Sequence, residues 1–440
     1  MSAGIFKSIN TFTAEQFKES VSESSGNVSM YMTYSQITAW PDEANPPAAN
    51  VVFSTEVNHW NGMIGGKRVT GDDIEHCVRR FDWEANTTFI SFDGENPDLY
   101  NNTMFYVLTS DYNVYKCLSN NNNSISTVEP SSTNPNTITG TADGYIWKYM
   151  MTLNSKDKFR FLNDTYFPVS TLPSDDGSIQ WDVQQNAVDG AIYDIRIDNA
   201  GNYTNSDNIT LAISGDGSGA NVYCNVNTVS NTIHTLTIDD YGTGYTNAIV
   251  TITGGGGTGG GVLRPILSPK NGHGSNPLYE LGGKNLFINM RIRGTENGKL
   301  PIVNDIRQIG LIINPLILSS NNIISNTAFK QTTDLTLTGV SSNYEADEYV
   351  YQGASLDTAT FYGRVVEYDS ANSVLKLNRT QGSITADTII GANTSETGFV
   401  VSESNPELER YTGEMIFIDN VELIERDENQ TENFQIILGF

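Results

Sequence analysis

Little in this chain of 440 residues suits it to covalent or metal chemistry: it has three cysteines, Cys77, Cys117 and Cys224, and four histidines, His59, His76, His234 and His273. An odd number of widely spaced cysteines excludes a disulfide framework. With a beginning, MSAGIFKSIN, that has neither a basic region nor an apolar core, the cysteines fit a protein made in a reducing cytoplasm. Long apolar runs are also missing; no stretch reaches the ~18–20 residues that a helical membrane span requires, so no membrane partner is expected. Cations are scarce. Against 51 Asp and Glu stand 25 Lys and Arg, a formal charge of −26 that repels nucleic acid and anionic lipid at long range, so no nucleic-acid partner is expected either. Charged residues make up 17%, below the usual quarter, and Asn, Ser, Thr and Gly fill the difference, a balance typical of extended β-rich proteins.

Signals for helix are few. Thr13 and Gln16 form a capping box between Phe12 and Phe17, predicting a short helix over 14–21. Thr70 and Asp73 cap a second run in which Ile74, Cys77 and Val78 share a helical face and Arg79 with Arg80 closes the end. The rest reads as strand and turn: SMYMTY, TMFYVL, NVYKCL, YIWKYMMTL, LFINMRI, IGLIINPLI, EMIFID and FQIILGF are short, aromatic or β-branched, and bounded by Asn, Asp, Gly or Pro. So many strands with so few helices predict antiparallel sheets packed as sandwiches. The Asn/Ser/Thr/Pro-rich stretch 120–141 has the composition of a mobile loop that a partner could order.

The expected catalytic arrangements are absent. GMIGGKRV, residues 62–69, lacks one residue before its Gly-Lys pair and has Arg68 where a phosphate loop needs Ser or Thr, so a surface turn is the better reading. The histidines lack ligand spacing, and His76 and Cys77, adjacent on the expected helix, diverge in direction. There is no Gly-x-Ser-x-Gly elbow. The acidic pairs Asp72-Asp73, Asp175-Asp176 and Asp239-Asp240 suit solvated turns better than a sugar-cleaving pair, whose spacing a sequence cannot establish. Core packing is the default for Trp40, Trp60, Trp83 and Trp147, with stacking on carbohydrate as the alternative. No catalytic residue, metal ligand or cofactor is assigned.

A duplication accounts for the most unusual stretch, ITGGGGTGGGVL. IYDIRIDNAGNYTN, from Ile192, returns as IHTLTIDDYGTGYTN from Ile233, and AISGDGSGANV returns as TITGGGGTGGGV. Asp198, Gly201, Tyr203 and Asn205 match Asp239, Gly242, Tyr245 and Asn247. The glycine run is then the second copy of a turn whose first copy is Gly215–Gly219, and it serves corners between strands rather than a phosphate. Further on, GRVVEYDSANSVLKLN reads as a hairpin turning at Asp369–Asn372 within a small β module.

A set of motifs in fixed order gives a more specific expectation. NTFTAEQFKESV, NVSMYMTYSQITAWPDE, NHWNGMIGG, VRRFDWE, NVYKCL, DGYIWKYMMTL, IRQIGLIINPLI and RYTGEMIFIDN with DENQTENFQIILGF together resemble the baseplate wedge subunit of T-even-type contractile-tailed phages, the gene product eight family. The residues that carry the resemblance are Trp60, Arg79, Arg80, Asp82, Trp83, Asp143, Gly144, Tyr145, Trp147, Arg307, Gln308, Asn314, Pro315, Gly413, Glu414, Gln430, Thr431 and Glu432. It covers roughly 5–185, 298–318 and 405–440. The implied organisation is a first part of the core over 1–188, an inserted duplicated β unit over 189–266, a return to the core over 267–325, an inserted small β module over 326–404, and C-terminal core strands over 405–440. The resemblance implies a mainly β fold, a layered antiparallel β-sandwich with two short helix-bearing loops plus inserted β modules. It further implies a homodimer, contacts with wedge proteins of the gene product six, seven and ten type, and a place in the tail baseplate of the virion after synthesis in the host bacterial cytoplasm. A structural subunit is therefore the leading expectation, with a fibre-attachment or host-glycan-binding tail protein as the alternative and an enzyme a distant third.

Overall fold

The computed structural model describes residues 8–23, 28–101, 103–136, 138–204, 208–302, 305–427 and 430–440. Strand accounts for 42% and helix for 12%, which makes the protein mainly β, built of antiparallel sheets. Its contacts divide it into two compact units. One comprises Met1–Glu15, Glu75–Phe287 and Ile437–Phe440, the other Gln16–Ile74 and Ile288–Ile436.

In the first unit the strands Tyr106–Leu108, Asn113–Ser119, Ile146–Thr152 and Thr139–Gly140 form a four-stranded sheet in that order. Asn113–Ser119 is covered on both faces and nearly every residue of it is buried, so its apolar residues run on instead of alternating. In the same unit, apart from Ile74 itself, the strands Ile74–Arg79 and Tyr166–Pro168 pair, with Cys77 opposite Pro168 and Arg79 opposite Tyr166. This corrects the second predicted helix. Thr70 and Asp73 do form a capping box, but over a single 3-10 turn, Gly71–Asp73, and the chain leaves it extended. Ile74, His76 and Val78 alternate inward, and the ladder to Tyr166–Pro168 supplies the hydrogen bonds that a helix would have made locally.

The first predicted helix exists but runs over Ser8–Ser22. Thr13 is inside it, and its hydroxyl donates back to the Ile9 carbonyl at 2.8 Å, so it is not the cap. Four short helices lie where the sequence predicts none: Phe53–Gly62, Ser155–Phe161, Ile179–Gln185 and Pro277–Glu280. Asn154, Ser178 and Asn276 cap the last three with their side chains. The stretch 120–141 is not a free loop among its described residues. Asn120 Nδ2 donates to the Phe89 carbonyl at 2.9 Å, Ser126 N to that of Thr87 at 2.8 Å, and Tyr115 Oη to that of Ser132 at 3.2 Å.

The repeat, also in the first unit, folds about a pseudo-twofold axis. Each copy supplies three strands: Ile192–Asn199, Ile209–Gly215 and Asn221–Asn227, then Thr232–Asp240, Ala248–Gly254 and Val262–Leu267. The first strand of each copy pairs with the third of the other, and the two middle strands pair with each other. The register obeys the same symmetry: Ile192 faces Leu267 as Ile233 faces Val226, Ile197 faces Leu263 as Ile238 faces Val222, and Ile209 faces Gly254 as Ala248 faces Gly215. Isolated bridges repeat it once more, Asn202 with Gly259 and Ser218 with Thr243. Tyr203 and Tyr245 are buried in one shared core at equivalent places; the match at Asn205 lies outside the described residues. Six of the seven glycines in 254–261 have positive φ, from +63° to +84°, so the run turns the chain back between strands through conformations that side-chain-bearing residues adopt only rarely.

The second unit contains a five-stranded antiparallel sheet in the order Ala328–Lys330, Met63–Arg68, Met30–Ser35, Asp305–Ile313 and Glu414–Glu425. GMIGGKRV is thus mostly an interior strand and not a surface turn, and Lys67 spends its charge on Glu296 at 2.7 Å. Six strands between Thr333 and Ser404 close a barrel around Leu335, Val350, Val365, Leu377, Ile389 and Val400. Its central hairpin pairs Phe361–Asp369 with Val374–Gly382 as expected.

Candidate functional site

The residues that carry the resemblance gather into local clusters within each unit. In the first unit Asp143 is a hub. Its carboxylate accepts hydrogen bonds from the backbone of Thr127 at 2.7 Å and Val128 at 3.0 Å, and from the hydroxyls of Ser126 at 3.1 Å and Thr141 at 2.5 Å. Burial pushes its carboxyl up, but these donors outweigh burial and hold it down to about 2. Trp83 Nε1 donates to the same Ser126 hydroxyl at 3.2 Å. After the turn at Gly144, Tyr145 stacks on Trp147 with ring centroids 5.5 Å apart, and Phe89 meets Trp147 edge-on at 5.5 Å. Arg80 and Asp82 form an exposed pair at 2.9 Å, while Arg79 offers its carbonyl to the Tyr106 hydroxyl.

In the second unit Gln308 belongs to a chain of hydrogen bonds whose protons can be assigned. The Pro47 carbonyl only accepts, so Asn420 turns its amide nitrogen to it and its oxygen to Gln308 Nε2 at 2.7 Å. Gln308 Oε1 then accepts from His59 Nδ1 at 2.9 Å, which leaves His59 Nε2 to accept the Thr33 hydroxyl at 2.7 Å. His59 is neutral, and burial lowers its pKa to about 4. Arg307 pairs with Glu43 and Asp305, each at 3.0 Å. Asn314 accepts from Ser29 N at 2.7 Å, and Glu414 sits opposite Ile313, so Asn314, Pro315, Gly413 and Glu414 meet at one sheet end. Glu432 accepts from the buried Arg426 at 3.0 Å, next to Thr431 and Gln430. Trp60 is buried and packs edge-on to Tyr411.

Sequence reasoning does not find the buried ion pair of Lys116 and Glu280. Lys116, which has no exposed side-chain surface, donates to Glu280 Oε2 at 2.8 Å and lies 3.9 Å from the centre of the Phe92 ring. Glu280 Oε1 accepts the backbone N–H groups of Gly274 at 2.8 Å and Asn276 at 3.1 Å. Burial opposes the Glu280 charge, but the Lys116 ammonium beside it wins and brings its carboxyl down to about 2. His273, buried alongside, is driven by burial and by Lys116 to about 3 and is neutral. A lone lysine inside NVYKCL is the available signal, since a buried cation must have a partner.

Glu280 also forms part of the wall of a cavity of about 620 Å³. The helix residues Ser8, Asn10 and Thr11, the loop residues Tyr100 and Asn101, and several residues of 269–284 complete it. Tyr279 stands in this wall with its hydroxyl donated to Glu15 at 2.9 Å. None of the residues that carry the resemblance lines it.

Among the described residues no three His, Cys, Asp or Glu side chains converge as a metal site would require. Burial raises the thiols of Cys77 and Cys117, so neither is a ready nucleophile. The acidic pairs cap turns: Asp175 accepts from Gly177 N, Asp176 from Ser178 N and Asp240 from Gly242 N. No protein-family model matches this chain, and no curated protein matches it.

Proposed function

We propose that this protein is a structural subunit of a contractile-tail baseplate wedge, a homodimer that joins neighbouring wedge proteins of the gene product six, seven and ten type within the virion. The reading rests on one observation. The residues that carry the resemblance, from Trp60 to Glu432, are spent mainly on turns, buried hydrogen bonds and ring packing, and none lines the large cavity. Their work is to hold a shape. Paired copies would present each contact patch twice, so that modest contacts add up to durable assembly, and the subunit would move on tail contraction largely as a rigid body.

Co-expression with the wedge proteins of the same phage tests this. A stable complex with two copies of this chain, and its density at the baseplate in images of purified tails, are the expected results. A monomer that ignores every wedge protein and is missing from tails would refute the reading.

A further inference from the structure

The geometry points to the 620 Å³ cavity of the first unit as a binding site for an acidic saccharide, a function separate from assembly. Its volume is that of a small-ligand site. Lys270 and Lys284 both line it, and among the described residues neither has an ion pair or a side-chain hydrogen bond. In a chain of net charge −26, where Arg264 alone faces Asp93, Glu95 and Asp198, two lining cations without an acidic partner stand out.

The rest of the lining selects among anions. Glu280 keeps its negative charge in the wall, and the backbone N–H groups of Gly274 and Asn276 that could have cradled a phosphate are already donated to it. A compact dianion would meet that carboxylate. A ligand with one carboxylate at the lysines and neutral hydroxyls elsewhere would not, and its hydroxyls could donate to Glu280. Tyr100 and Tyr279 line it and offer aromatic surface to a pyranose, and the amides of Asn10 and Asn271, with Asn276 Nδ2, could meet hydroxyls, the Asn276 oxygen being already engaged by Thr171 Oγ1 and Tyr279 N. Both tyrosines stay neutral: burial lifts each to about 12, aided by Glu280 for Tyr100 and by Glu15 for Tyr279. The lining comes from a helix, a loop and the segment 269–284 and includes no strand residue, so an acidic peptide would find no edge to extend.

Calorimetry on the full chain with glucuronic acid, which has a single carboxylate, its neutral methyl ester, inorganic phosphate and a hexaglutamate peptide tests the assignment. The acid should bind, and the ester should bind roughly tenfold more weakly. The double variant Lys270→Gln, Lys284→Gln should lower affinity for the acid to about that of the ester, with no change in melting temperature. Asn10→Trp, which fills the cavity from a helix position, should abolish both. No binding of the acid at roughly 10 mM, tighter binding of phosphate or peptide, or full affinity in the double lysine variant would each overturn it.

Discussion

Lys116 and Glu280 show how much depends on single side chains inside this fold. Removing one partner of a buried ion pair strands the other charge, so Lys116→Met is expected to cost about 3–5 kcal/mol in urea unfolding, with part of the loss recovered when Glu280→Gln, which keeps an acceptor for Gly274 N and Asn276 N, is added. The buried histidines set a pH dependence. His59, about 4 when folded against 6.5 unfolded, takes up a proton more readily in the unfolded chain, and so does His273. Their contribution is complete above pH 6.5 and is lost as pH falls toward 4, at up to about 1.4 kcal/mol per pH unit for each. Glu280, lowered from 4.5 to about 2, adds a loss of the same sign below pH 4.5. Unfolding curves between pH 4.5 and 7 should therefore steepen with acid, and His59→Gln should remove one proton from that slope. None of this is legible in sequence, because Lys116 finds its partner 164 positions away and His59 finds Gln308 at a separation of 249.

At the scale of elements, turns are more legible than the segments they lead into. The Thr70–Asp73 cap, the Asp369–Asn372 turn and the glycine corner of the repeat are all visible in sequence, since each is fixed by residues within eight positions or fewer. The segment 74–79 is not, because Ile74, Cys77 and Val78 make a helical face while Ile74, His76 and Val78 make a strand face, and the distant Tyr166–Pro168 decides. Three of the four helices missed, all but Phe53–Gly62, have seven residues or fewer and too little periodicity to register. Gly413 provides a local test. It has φ of +74°, and an added Cβ would stand 2.5 Å from the Ile313 carbonyl oxygen. Gly413→Ala should cost about 1–3 kcal/mol by thermal unfolding, with the fold otherwise intact.

For the whole molecule, composition and turn spacing predict a mainly β protein, and that is what forms. The barrel's closure is hidden, because Asp334 pairs with Ser404, a ladder that joins the two ends of the module and leaves no local trace. The excess of 26 negative charges repels itself in the compact state, so raising salt from about 10 to 150 mM should raise the melting temperature. A flat response over that range would mean that ion pairs such as Arg307–Glu43 offset the repulsion. The pseudo-twofold axis of the repeat carries a last consequence. Neither half contains the ladder partners of its own outer strands, since each borrows them from its twin. Residues 192–231, cut loose, would have to recruit a second molecule of themselves to become whole, so this part of the chain is in effect a pair of subunits joined end to end.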